Sequence, residues 1–278
     1  MNCPSTSFSA VGRRVLWSIL ATAGFLAFSG CASNQDKSGQ SGAKPDMVTE
    51  SDEPDVRRRA RIRLELAVGY FEQGQTTIAL DELKQSIATD PNWSEAYNLR
   101  GLIYLRLGDL RLAEESFQRA LSISPREGNV LHNYGWLTCQ QARYAESTQF
   151  FSQALANPAY VERAKTWMTQ GLCQSKAGLR ADAESSLLRS YELDARNPIT
   201  GYNLALLLFQ RGDFARAQFY IRRLNNSELA NAESLWLGIR VERRMENLEA
   251  MQQLVGQLKR RFPQSPEAAA NDRGAFDE

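Results

Sequence analysis

From Ala60 to Pro263 apolar and polar positions alternate with the period of a helix, and the pattern restarts every 33 to 36 residues. The restarts are "AVGY" (67–70), "GLIY" (101–104), "GWLT" (135–138), "GLCQ" (171–174), "ALLL" (205–208) and "GIRV" (238–241). Each opens on a small residue: Ala67, Gly101, Gly135, Gly171, Ala205 and Gly238. Twelve residues after each comes a second small one: Ala79, Ala113, Ser147, Ala183, Ala217 and Ala250. Two small residues at that spacing predict two helices per unit that cross where the side chains are smallest, because anything larger would force the helices apart. The segments between them are "EQGQTT", "RLGDLR", "QQARYA", "SKAGLR" and "QRGDFA"; four hold a glycine suited to a left-handed helix end. Pro91, Pro125 and Pro263 close units, while the fourth has Ala195 at that place and Pro198 just beyond.

A period near 34 with this internal spacing resembles the tetratricopeptide repeat. The second unit, "SEAYNLRGLIYLRLGDLRLAEESFQRALSISP", carries Tyr97, Gly101, Tyr104, Ala113, Phe117, Ala120 and Pro125 at the signature positions. The expected fold is all-α: a superhelical solenoid of six helix–turn–helix repeats over residues 54–263. No unit buries its apolar face alone, so the repeats form one body. The extra two residues between Gly135 and Gly171 fall in "ANPAYVERAK" and predict a longer turn that bends the superhelix. Past Pro263 the pattern is lost, so 264–278 reads as a frayed tail.

The resemblance also implies a groove lined by the first helices. Its positions fall on Leu64, Val68 and Phe71, on Asn98, Leu102 and Leu105, on His132, Trp136 and Gln140, and on Tyr202, Leu206 and Phe209. A lining this apolar is suited to docking a peptide. The lysine and asparagine of the family's two-carboxylate clamp are not all in place, which argues against capture of an acidic C-terminus.

The N-terminal region follows another pattern. Arg13 and Arg14 precede an apolar run of about fourteen residues, Val15 to Phe28. That is too short for the ~20 residues of a membrane span and right for a signal sequence over residues 1–30. Phe28, Ser29, Gly30 and Cys31 resemble the bacterial lipobox, with Phe28 in place of the usual leucine. The resemblance implies a thioether-linked lipid on Cys31, and Ala32 implies release to the periplasmic face of the outer membrane. Residues 31–53 are rich in Ser, Gly and Gln and read as a flexible tether.

Charge and chemistry narrow the function further. With 33 basic and 32 acidic residues the chain has no field to attract nucleic acid. One histidine, His132, rules out paired-histidine metal motifs, and no Cys-x-x-Cys, P-loop or Gly-x-Ser-x-Gly occurs. We therefore expect no enzyme activity, metal, cofactor or small-molecule substrate, with His132 a polar groove residue. The run "RRRARIR" (57–63) follows "ESDEPD" and reads as a solvated helix face rather than a headgroup site. Cys139 and Cys173 stand on adjacent first helices; a disulfide and a pair of buried small apolar side chains are both open readings.

Lipobox, tether, six repeats, "NYGWLTCQQARYAES" in the third and the ending "KRRFPQSPEA" together resemble the PilF/PilW family of type IV pilus biogenesis lipoproteins. The resemblance implies a pilotin, which binds outer-membrane secretin subunits, brings them to the outer membrane through its lipid and supports their multimerisation. An envelope adaptor for outer-membrane barrel assembly or cell-wall synthesis is the alternative.

Overall fold

The computed structural model describes residues 53–276. The signal segment, Cys31 and the tether up to residue 52 lie outside the described residues. Six antiparallel pairs follow one another: α1 (Asp55–Glu72) with α2 (Thr76–Thr89), α3 (Ser94–Leu107) with α4 (Leu110–Ile123), and α5 (Gly128–Gln140) with α6 (Tyr144–Ala156). Then come α7 (Arg163–Lys176) with α8 (Arg180–Leu193), α9 (Pro198–Arg211) with α10 (Phe214–Asn225), and α11 (Ala232–Arg244) with α12 (Leu248–Arg261). The tetratricopeptide solenoid read from the period is the fold observed.

The crossings show why the small residues are needed. A Cβ on Gly101 would lie 2.5 Å from the Phe117 ring, one on Gly135 2.8 Å from Phe151, and one on Gly171 2.7 Å from Leu187. In each case the residue sixteen positions on, from the second helix of the same pair, lies against bare backbone. The first and fifth units have Leu83 and Ile221 there, and their first helices carry fully buried Ala67 and Ala205 instead of glycine.

The turns within pairs all use one left-handed residue. Gly74, Gly108, Gly178 and Gly212 have φ between 77° and 86°, as the sequence predicts, and the other two turns use Ala142 (φ 59°) and Glu246 (φ 57°). A residue with a Cβ costs of order 1 kcal/mol there. At Ala142 the next residue holds the turn: Arg143 forks onto Glu146 at 2.8 and 2.7 Å and reaches Glu114 at 2.8 Å.

The predicted long connection is present, and the expected loose tail is not. The longer connection between α6 and α7 delivers Tyr160 into the body, where it is 6% exposed. Its ring occupies the space that a Cβ on Gly128 would need, 2.4 Å away. The segment after Pro263 is also not frayed. It forms α13 (Pro266–Arg273), started by the Ser265 side chain accepting from the Ala268 amide, with Pro266 in the first turn and Gly274 ending it at φ 72°. Ala268 is buried, Phe276 stacks on Trp236 at 5.3 Å, and the Arg243 guanidinium covers Phe276 at 4.1 Å. The segment is too short to repeat the pattern, yet it covers an apolar end that the last repeat would leave wet.

Gly101→Leu forces Phe117 or the α3 backbone to move, so it should destabilise the solenoid by about 1–3 kcal/mol. Denaturant midpoints will show this, with Gly108→Ala as a comparison limited to turn strain.

Candidate partner-binding groove

The groove positions fall on α1, α3, α5 and α9, and the structure treats them unequally. Val68 is exposed, while Phe71, Asn98, Leu102, Leu105, Trp136, Tyr202, Leu206 and Phe209 are half-buried and Gln140 is exposed. Two sequence-derived members do not line an open surface. Leu64 packs in the core with Ala60, Ala67 and Leu83. His132 is 5% exposed. Both stand three residues before the small crossing residue, as half-buried Asn98 and Tyr202 do, so the cover comes from particular neighbours: the α1–α3 core at Leu64, and Thr166 and Phe151 at His132.

His132 is a structural joint. Its Nδ1 shares a 2.8 Å hydrogen bond with the Thr166 hydroxyl of α7, and that hydroxyl shares another of 2.7 Å with Tyr160. The Phe151 ring lies 5.8 Å away. Burial first, and the charge of Lys165 second, push the imidazole down to about 4. It is therefore neutral at physiological pH. The ring's partner is a hydroxyl, which in turn meets the Tyr160 hydroxyl, so the imidazole ties α5 to α7 and to the connection before it.

The same junction carries a covalent link. Cys139 and Cys173 are joined by a disulfide with Cα atoms 5.9 Å apart, and both residues are buried. The Ser147 hydroxyl donates to the Gly135 carbonyl at 2.7 Å and lies 3.4 Å from the Cys173 sulfur. Neighbouring first helices are also joined through polar groups: the Asn133 amide donates to Asn98 Oδ1 at 3.0 Å.

Three groove aromatics, Phe71, Trp136 and Phe209, are each roofed by a cation, a feature the sequence reading missed; Tyr202 is not. Arg106 lies 3.7 Å above the Phe71 ring and donates to the Phe71 carbonyl at 2.6 Å. Lys176 lies 5.2 Å from Trp136 and Arg240 5.0 Å from Phe209. In every case the cation comes from the next first helix. None of the three pairs with a carboxylate among the described residues, and Arg240 Nε is buried without a hydrogen-bond partner there. A clue was present: Arg106 and Lys176 both stand five residues after their small crossing residue. By contrast, four of the five arginines in the α1 run are spent on their own chain. Arg57 pairs with Asp90, Arg58 with Asp55, Arg61 with Glu53 and Glu65, and Arg63 with Glu82.

The arrangement is suited to holding a polypeptide: apolar and aromatic surface, flanked by cations, on a rigid scaffold. Among the described residues no group of three or more His, Cys, Asp or Glu could hold a metal ion, and no helix is long and apolar enough to cross a membrane.

Comparison with known proteins gives a consistent result. The tetratricopeptide repeat model matches residues 94–127. The chain is 28% identical to the type IV pilus assembly protein PilF of Pseudomonas aeruginosa over 204 residues, covering 73% of this chain and 81% of that protein. The crystal structure of PilW, described as a widely conserved type IV pilus biogenesis factor, is similar at TM-score 0.69 and 30% identity, over 76% of this chain and 97% of that one. The solved Pseudomonas aeruginosa PilF matches at TM-score 0.72 and 26% identity, over 80% of this chain and all of that one.

Two measurements check the junction. The disulfide closes a loop with a sequence separation of 34, so Cys139→Ser should lower stability by about 2–4 kcal/mol, and thiol labelling of the unfolded, unreduced chain should find neither Cys139 nor Cys173 free. His132, held low in the folded state, is protonated more readily by the unfolded chain. Its contribution is complete above pH ~6.5 and is lost as pH falls toward about 4, on the order of 3 kcal/mol in all. His132→Gln should flatten the stability profile between pH 6.5 and 5, where few carboxylates titrate.

Proposed function

The chain belongs to the PilF/PilW family of type IV pilus biogenesis proteins, and from that premise we propose that it acts as a pilotin. It is a tetratricopeptide-repeat protein of pilus biogenesis, and its task in this reading is to capture secretin subunits and deliver them to the outer membrane. Cys31, once cleaved and lipidated, supplies the address; residues 32–52 give the folded body reach above the bilayer. The groove supplies the grip.

The observation that carries the reading is the row of cation-roofed aromatics, Phe71 under Arg106, Trp136 under Lys176 and Phe209 under Arg240. Arginines also lie over the buried rings of Trp93 and Tyr97, so it is the position of these three rings on the groove face that sets them apart. Cations that lie on rings without carboxylate partners are ready to swing onto an incoming acidic side chain while the half-buried ring accepts an apolar one. A secretin segment that mixes acidic and large apolar residues would satisfy both. No bond is made or broken by the protein; capture and lipid-directed delivery are its mechanism.

Heat-resistant secretin multimers in outer membranes test this directly. They should be lost on deletion, absent or mislocalised with Cys31→Ala, and strongly reduced with Phe71→Asp plus Leu105→Asp in a protein whose helical circular dichroism is unchanged. Normal multimers in all of these strains would remove the pilotin reading.

A further inference from the structure

One position in the fifth pair lacks the side chain that its counterparts supply. Four residues before the small crossing residue stand Tyr97 in the second pair, Leu131 in the third and Trp167 in the fourth, all buried or half-buried; the end pairs have Arg63 and Ser234. In the fifth pair the position is Gly201, on α9. Glycine inside a helix is unfavourable relative to alanine. A Cβ there would meet nothing within 4 Å, although the residue itself is buried. Around it lies a cavity of about 380 Å³, walled by Tyr191, Tyr220 and Leu224 and bordered by the connection between α8 and α9.

The second pair shows what such a cavity holds. There the Tyr97 ring occupies the space, 7% exposed. Its hydroxyl donates to the Pro91 carbonyl at 3.1 Å, and the Arg119 guanidinium lies 5.4 Å from the ring. The fifth pair keeps both partners by position. Ala195 stands where Pro91 does, ten residues before the crossing residue, and Arg223 where Arg119 does, eighteen after it, and both border the cavity. Where the second pair has Ile87 and Ser116, the fifth has Tyr191 and Tyr220, set edge to face with ring centroids 5.0 Å apart. The bordering charges, Arg196, Arg223 and Glu228, are of both signs, so the cavity does not select an anion.

We propose that this cavity binds a tyrosine side chain presented by another polypeptide. The chain's own tether cannot fill it, because residues 31–52 contain no Phe, Trp or Tyr, and Phe276 is already stacked on Trp236. The incoming ring lies against Tyr191 and Tyr220, with its hydroxyl donating to the main chain at Ala195. Arg223, now 5.7 Å from the Tyr191 ring, covers it as Arg119 covers Tyr97. The site is separate from the groove and does not rest on the pilotin reading.

The test uses the full chain in detergent, titrated with a short capped peptide of serine and glycine around one tyrosine and followed by saturation-transfer NMR. The same peptide with leucine in place of tyrosine is the comparison. The tyrosine peptide should bind and the leucine peptide should bind about tenfold more weakly. Gly201→Tyr, which fills the cavity from within, should abolish binding. Its denaturant midpoint should also exceed that of Gly201→Ala, although alanine has the better helix propensity; this result shows at once that the variant folds and that the cavity accepts the ring. A tyrosine peptide that does not bind overturns the proposal. So does equal binding of the leucine peptide, binding that survives Gly201→Tyr, or a midpoint for Gly201→Tyr below that of Gly201→Ala.

Discussion

The close approach of two helices at a residue with almost no side chain is the constraint on which this molecule rests. Where Gly101 and Gly135 meet Phe117 and Phe151, the ring occupies the place a Cβ would take. That contact sets the spacing within each pair, and the spacing sets which faces of successive pairs meet. Because each unit touches only its neighbours, stability is a sum of such local terms, and the fold holds together as far as its junctions hold.

The junction between the third and fourth pairs has more holding it than close packing. It combines the disulfide, the Thr166 hydroxyl shared by His132 and Tyr160, and the Ser147 contacts with both Gly135 and Cys173. The two-residue insertion explains part of this: a longer connection is what allows Tyr160 to fold back onto Gly128. A chain built of nearest-neighbour contacts opens most easily at its weakest interface. Reinforcing the middle keeps the groove segments of α1 to α5 in register with those of α9.

Much of the fold was legible because repetition multiplies a weak signal. One Gly–Ala pair twelve residues apart means little, but six aligned pairs fix period, helix number and crossing points. The left-handed turns were readable at Gly74, Gly108, Gly178 and Gly212 and invisible at Ala142, where Arg143 and two carboxylates hold the chain. What occurs once escaped the pattern. α13 has caps but no period, and Glu242, 1% exposed, is held by Arg222 at 2.6 and 3.0 Å and by Gln218 at 2.8 Å, partners twenty or more residues away. Groove membership was legible to the helix face but not to the neighbour: Leu64 and His132 share that face and are covered by what packs beside them.

The cations over the groove aromatics carry the same lesson into function. Arg106, Lys176 and Arg240 each lie one first helix away from the ring they cover, so each ring–cation pair exists only where consecutive repeats are stacked correctly. The surface offered to a partner is therefore a property of the junctions and not of any single repeat. An aromatic alone would bind apolar segments without discrimination; a cation alone would be screened by salt. In the proposed function, ring and cation held together at 3.7 to 5.2 Å would favour a segment that presents acidic and apolar groups at the spacing of the repeats, and that pairing would give a small rigid protein a means of choosing its partner.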